Sequence, residues 1–95
     1  MNRELVLTPK FERAFRKFVR RDARLRRRIA TTLEKMQQDV FAVSLGTHKL
    51  SGALEGLRAC SCGYDCRIVF SLELEPDTAL EVIVLLDIGT HDEVY

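Results

Sequence analysis

Apolar positions along the chain change their period midway. Leu5 to Leu7 form a short apolar stretch that stops at Thr8-Pro9, a hydroxyl followed by proline at a first helical position, which predicts a helix start. Phe11, Ala14, Phe15, Phe18 and Val19 then follow one stripe of a 3.6-residue period, while Arg13, Arg16, Lys17 and Arg20 point elsewhere. Asp22 can cap a second helix whose inner side is Leu25, Ile29, Leu33, Met36 and Val40, so the two helices form an antiparallel hairpin. From Phe41 to Glu55 the period is lost and Ser44, Gly46, Ser51 and Gly52 appear, which predicts a long loop of the kind that carries function.

Beyond it, Leu57 to Cys62, Asp65 to Leu74 and Leu80 to Ile88 read as strands, with turns at Gly63-Tyr64 and at Glu75 to Thr78. In the middle strand Cys66, Ile68, Phe70, Leu72 and Leu74 alternate with Asp65, Arg67, Val69, Ser71 and Glu73. The first set faces the helices and the second an open face that Asp65 and Arg67 share. Residues 89–95 read as a polar tail. The expected architecture is α+β, ordered β-α-α-β-β-β, a helical hairpin on one side of an antiparallel sheet in a single domain over residues 1–95.

At 95 residues the chain has room for one core and no second lobe. Its net charge of +1 hides a split: residues 1–30 hold 11 Lys/Arg against 3 Asp/Glu, a balance of +8, and residues 31–95 hold 4 against 11, a balance of −7. A basic face of this kind attracts phosphate backbones or an acidic protein. Arg24, Arg26, Arg27 and Arg28 sit in the first turns of the second helix, where the macrodipole disfavours cations, so a partner is expected to compensate them. The start Met-Asn-Arg-Glu carries no apolar leader, and the longest apolar run, Val82 to Leu86, is too short for a bilayer; the expectation is a cytoplasmic protein with no membrane partner. Cys60, Cys62 and Cys66, an odd number within seven positions, suit a reducing compartment better than a disulfide scaffold. Their spacing lacks the paired knuckles of structural zinc sites, and no metal and no cofactor is expected.

The chemistry rests on two histidines, His48 and His91, each in a polar, glycine-bearing segment flanking the sheet. Imidazole titrates near neutral pH, so a pair can divide the work of proton acceptor and donor, as cleavage of RNA through its own 2′-hydroxyl requires. Arg67 on the open face could stabilise charge on the phosphoryl oxygens.

Taken together, the basic helices, His48-Lys49-Leu50-Ser51-Gly52, Gly56-Leu57-Arg58-x-Cys60, Asp65-Cys66-Arg67-Ile68-Val69-Phe70 and the ending Gly89-Thr90-His91-Asp92-Glu93-Val94-Tyr95 resemble the RelE/ParE superfamily of type II toxin–antitoxin toxins, its YafQ-like branch above all. The resemblance spans nearly the whole chain. It implies a ribosome-dependent mRNA endonuclease neutralised by a cognate antitoxin, with ribosome and mRNA as partners. It also implies active-site positions at His48, Asp65, His91 and Tyr95, with Arg67 at the scissile phosphate. In this reading the histidines transfer protons, Asp65 orients an imidazole and Tyr95 stacks on a base. Arg16, Lys17, Arg20, Arg24, Arg27, Arg28, Lys49 and Arg58 are the expected RNA- or ribosome-binding cations. Two departures stand out: Ser61 replaces a further histidine of the YafQ-like branch, and Cys66 replaces a tryptophan. The same resemblance leaves two alternatives, a ParE-like toxin that binds DNA gyrase without cutting RNA and an inactive member that only binds its antitoxin.

Overall fold

The structure is a computed structural model that describes residues 2–95. Chain order is β1 (Glu4–Leu7), α1 (Pro9–Phe18), α2 (Ala23–Gln38), β2 (His48–Lys49), β3 (Arg58–Gly63), β4 (Cys66–Leu74), β5 (Glu81–Gly89) and α3 (His91–Val94), with 3-10 turns at Val43–Leu45 and Gly52–Leu54. Both helix starts follow the capping logic read from the sequence. Thr8 Oγ1 accepts from the Phe11 amide at 3.1 Å, and Asp22 Oδ1 accepts from the Leu25 amide at 3.0 Å. Thr8 also donates to the Leu85 carbonyl at 2.8 Å, which fastens the start of α1 to β5.

The five strands lie in the order β1-β5-β4-β3-β2. Strands β3, β4 and β5 are antiparallel neighbours as expected, but β1 pairs parallel to β5, from Glu4 opposite Val82 to Leu7 opposite Leu85, so the sheet is mixed. The reason is topological: the helical hairpin carries the chain back across one face, and β1 enters the free edge of β5 running the same way. The long segment after α2 is also less irregular than its composition suggests, since His48 and Lys49 pair with Ala59 and Arg58 as the opposite edge strand.

Each face of the sheet has its own apolar cluster. On the helix side Phe11, Ile29, Met36, Val40, Ile68, Phe70, Ile83 and Leu85 are almost fully enclosed. Each such side chain contributes roughly 1.5–3 kcal/mol through burial. The face expected to be open is half covered instead: Ala59 and Val69 are buried there under Val94 of α3, with Leu50 and Leu57 packed alongside. Within residues 89–95, expected as a polar tail, His91–Val94 form α3, closed by a reciprocal capping box between Thr90 and Glu93. Leu74, placed by parity on the core side, lies beyond the helices and is exposed.

The cysteines depart from expectation most clearly. Cys62 and Cys66 are joined in a disulfide across the β3–β4 turn, with their Cα atoms 5.0 Å apart, and only Cys60 is free. The odd count concealed a pair because the hairpin brings Cys62 and Cys66 together while Cys60 turns into the core. Its Sγ lies 3.7 Å from Met36 Sδ, and burial pushes its thiol up to about 12.

Candidate active site

His48, His91 and Tyr95 line one shallow depression of about 430 Å³, over an apolar floor of Leu50, Ala53 and Leu54. Three separate stretches supply it: edge strand β2, the 3-10 turn that follows, and α3. The register of β2 on β3 places His48 on the same face as Ala59, whose neighbours include Val94, and so turns the imidazole toward α3. His48 Nδ1 lies 3.0 Å from the Gly46 carbonyl oxygen. A carbonyl accepts only from a protonated nitrogen, so the contact corresponds to the tautomer with its hydrogen on Nδ1, in which Nε2 is the accepting nitrogen.

His91 is the first residue of α3, and its ring meets that of Tyr95 edge-on with centroids 4.7 Å apart. Its Nδ1 is 3.4 Å from Asp92 Oδ1, a loose contact with a fully exposed carboxylate. Burial raises the Tyr95 phenol above its ordinary value, against the lowering effect of the Arg67 charge, so the hydroxyl stays protonated at neutral pH and within electrostatic reach of Arg67.

Asp65 was expected at the start of a strand, orienting an imidazole. It lies instead in the β3–β4 turn at φ 47°, and its Oδ1 accepts the backbone N–H of His91 at 3.0 Å. Asp65 therefore acts on the helix that carries the ring rather than on the ring. Aspartate tolerates this left-handed conformation better than most residues, which suits it to the position. Arg67, half-buried in β4, donates from Nη1 to the carbonyls of Gly63 at 3.2 Å and Cys66 at 2.9 Å, which ties the same turn from the other side. Two of its three guanidinium nitrogens keep their donors for other partners.

The basic residues divide. Arg16, Lys17, Arg20, Arg24, Arg27 and Arg28 are exposed on the hairpin, across the sheet from the histidines. Arg16 reaches Glu12 at 4.0 Å. Lys49 and Arg58 pair with one another on the face opposite His48, and the Arg58 guanidinium lies 5.7 Å from the centre of the Phe41 ring. None of these cations lines the depression, so the structure does not gather the predicted binding residues with the predicted catalytic ones. The larger depression of about 540 Å³ near Arg3, Glu75, Asp77 and Glu81 holds no histidine and lies at the other end of β5.

Sequence reasoning missed the apolar floor and the α3 capping box. The box was legible as Thr90-x-x-Glu93, a threonine followed three residues on by glutamate. Among the described residues no helix is long and apolar enough to cross a membrane, and no group of three or more His, Cys, Asp or Glu side chains is arranged to hold a metal ion.

No protein-family model matches the chain, and no curated protein matches it in sequence. Solved structures do. YafQ from Escherichia coli strain BL21(DE3) superposes with a TM-score of 0.77 at 10% identity, covering 98% of each chain. The YoeB/ParE toxin from Agrobacterium tumefaciens gives 0.75 at 18% identity, over 93% of this chain and 98% of that one. YafQ within the E. coli DinJ-YafQ toxin-antitoxin complex gives 0.75 at 11% identity, over 100% and 99%. TM-scores of 0.75 to 0.77 over 93% or more of both chains in all three give this chain the RelE-like fold that these toxins have.

Proposed function

We propose that this chain is the toxin of a type II toxin–antitoxin system and acts as an endoribonuclease on mRNA at the ribosome, without a metal. The observation that carries the reading is the convergence of His48, His91 and Tyr95 on one solvent-open depression. His48 Nε2 accepts the proton of a 2′-hydroxyl, the 2′-oxygen attacks the adjacent phosphorus, and His91 protonates the departing 5′-oxygen. The products are a 2′,3′-cyclic phosphate and a 5′-hydroxyl. The neutral Tyr95 hydroxyl stabilises the charge that develops on the phosphoryl oxygens, with Arg67, which lies outside the lining of the depression but within electrostatic reach of Tyr95, as the supporting cation. A depression this shallow cannot enclose a substrate, which favours a reaction completed on a larger surface such as the ribosome. Two observations support a cognate antitoxin as partner: YafQ, which has this fold, is held by DinJ in its complex, and an acidic partner would meet the +8 balance of residues 1–30. The reading places the protein in the cytoplasm, with its ribosomes.

The test is induction of the wild type and of His91→Ala, with mRNA ends mapped on translating ribosomes. The expected result is growth arrest with cut mRNA in the wild type and cutting lowered by about 10²- to 10⁴-fold in the variant. Arrest without cutting, equally strong in His91→Ala, overturns the nuclease and favours the gyrase-binding alternative.

A further inference from the structure

The charge split of the sequence is also a split in space. Strand β5 runs from Glu81 to Gly89, roughly 26 Å at 3.3 Å per residue. At its start the β4–β5 turn and β1 frame the depression of about 540 Å³, whose wall holds the carboxylates of Glu4, Glu75, Asp77 and Glu81. Arg3, the cation of that wall among the described residues, is already taken by Glu81 at 2.7 Å. Two leucines flank the acidic turn in the open, Leu74 at 67% and Leu80 at 54% exposure. At the other end of β5, Gly89 pairs with Arg67 beside the β3–β4 turn. There Tyr64, 97% exposed, shares a second depression of about 410 Å³ with Phe18, Leu25, Arg24 and Arg28. Asp22, the carboxylate of that wall, is committed to capping α2. Among the described residues no carboxylate pairs with Arg24 or Arg28, and the first turn of α2 carries no acidic side chain. The positive end of the helix dipole and the two guanidinium groups therefore add.

We propose that these two ends dock on one another between copies of the chain, with Tyr64, Arg24 and Arg28 of one copy seated in the acidic depression of the next. Each end supplies what the other lacks. The basic end brings an exposed aromatic ring and two unpaired cations, and the acidic end brings an apolar wall of Leu80 and Val82 beside Glu75 and Asp77. An apolar centre with a polar rim is the anatomy of a protein interface, and tyrosine and arginine are the residues that anchor one. The carboxylates of the neighbouring copy also arrive at the start of α2, where the dipole favours negative charge. Nucleic acid would satisfy the basic end and be repelled by the acidic one, whereas a second copy accounts for both. The net charge of +1 leaves little long-range repulsion between copies to oppose the contact. Because the two surfaces differ, the contact is heterologous, and it repeats into an open chain or a ring rather than closing as a two-fold dimer. An acidic antitoxin on the basic end would displace the neighbouring copy, but the docking itself depends on neither the toxin nor the nuclease reading.

The test is sedimentation of the full chain across a range of protein concentrations in about 0.01 M and about 1 M salt, where the Debye length is about 30 Å and about 3 Å. In low salt the average mass should rise with concentration past two copies, and in high salt it should return to that of the monomer. Charge reversal then separates the two ends. Glu75→Lys/Asp77→Lys removes the acidic end and Arg24→Glu/Arg28→Glu the basic one, so each double variant alone should stay monomeric in low salt. Mixed, they should form a complex of one copy each, because the first keeps a working basic end and the second a working acidic end. Tyr64→Ala should weaken the wild-type association by about tenfold, the loss expected of one anchoring side chain. A monomer mass in low salt up to about 1 mM protein overturns the proposal, and so does association that salt leaves unchanged. A mass that stops at two copies, with nothing regained on mixing the variants, shows a two-fold dimer and overturns the head-to-tail contact. The wild-type salt series depends on no variant folding.

Discussion

Asp65 separates two meanings of a carboxylate at a site. Its Oδ1 accepts the His91 amide at 3.0 Å and its backbone sits at φ 47°. Replacement by alanine removes the acceptor, at about 1 kcal/mol for an exposed hydrogen bond, and places a residue with a Cβ and no compensating side chain in the left-handed region, at about another 1 kcal/mol. Together they weaken the hold on α3 by about 2 kcal/mol, which caps the loss of cutting at about thirtyfold. Glycine keeps the backbone free and loses only the bond, so Asp65→Gly should fall by about fivefold. Asparagine keeps an acceptor oxygen and favours the same φ, so Asp65→Asn should stay within about twofold of the wild type. The assay is RNA cutting by the four proteins, beside amide hydrogen exchange at His91 and Tyr95, and both should rank Asp, Asn, Gly, Ala. A carboxylate that moves a proton predicts otherwise: Asn would be as poor as Ala, by 10²-fold or more, with exchange at His91 unchanged in Asn. That outcome refutes the anchoring role.

Two further perturbations probe the frame around the site. Burial raises Cys60 to about 12 in the folded protein from a value near 9 when exposed, so the folded state holds its proton more tightly and stability is lost as pH rises from about 9 toward 12. By pH 10.5 the loss is about 2 kcal/mol, and urea midpoints at pH 7 and 10.5 should differ much less in Cys60→Ala, the remaining slope coming in part from Tyr95, which shifts in the same direction. At Gly89 a methyl group would meet Glu93 Oε1 at 2.9 Å and displace the carboxylate that closes the capping box on the Thr90 amide. Gly89→Ala should therefore loosen α3 by about 1 kcal/mol, seen as faster exchange at His91 and Tyr95 with the melting temperature little changed.

Where local physics and tertiary packing agree, the chain could be read in advance. Thr8 and Asp22 cap the helices that their positions announce, and Phe11, Ile29, Met36 and Val40 are buried on the stripes that their spacing draws. Strand β1 could not be assigned a direction, because four residues have no period that distinguishes parallel from antiparallel pairing and the partner lies 78 residues away. Strand β2 was hidden for a related reason: two residues pair only because Ala59 and Arg58 present an edge.

The candidate site was legible by residue type and not by role. Its histidines and terminal tyrosine carry side-chain chemistry, which composition displays. Asp65 works through a backbone amide 26 residues away, and Arg67 spends Nη1 on the carbonyls of its own turn. Contacts of that kind leave no mark on spacing, since any residue offers an amide or a carbonyl. The cysteines follow the same logic: parity placed Cys66 on the core side, but not against Cys62, which it meets because the irregular turn between them folds one strand end onto the other. An irregular hairpin thus ties Asp65 to the first residue of α3 and Arg67 to its own turn, with a disulfide closing that turn on the helix side, and the placement of His91 in the proposed proton transfer rests on it.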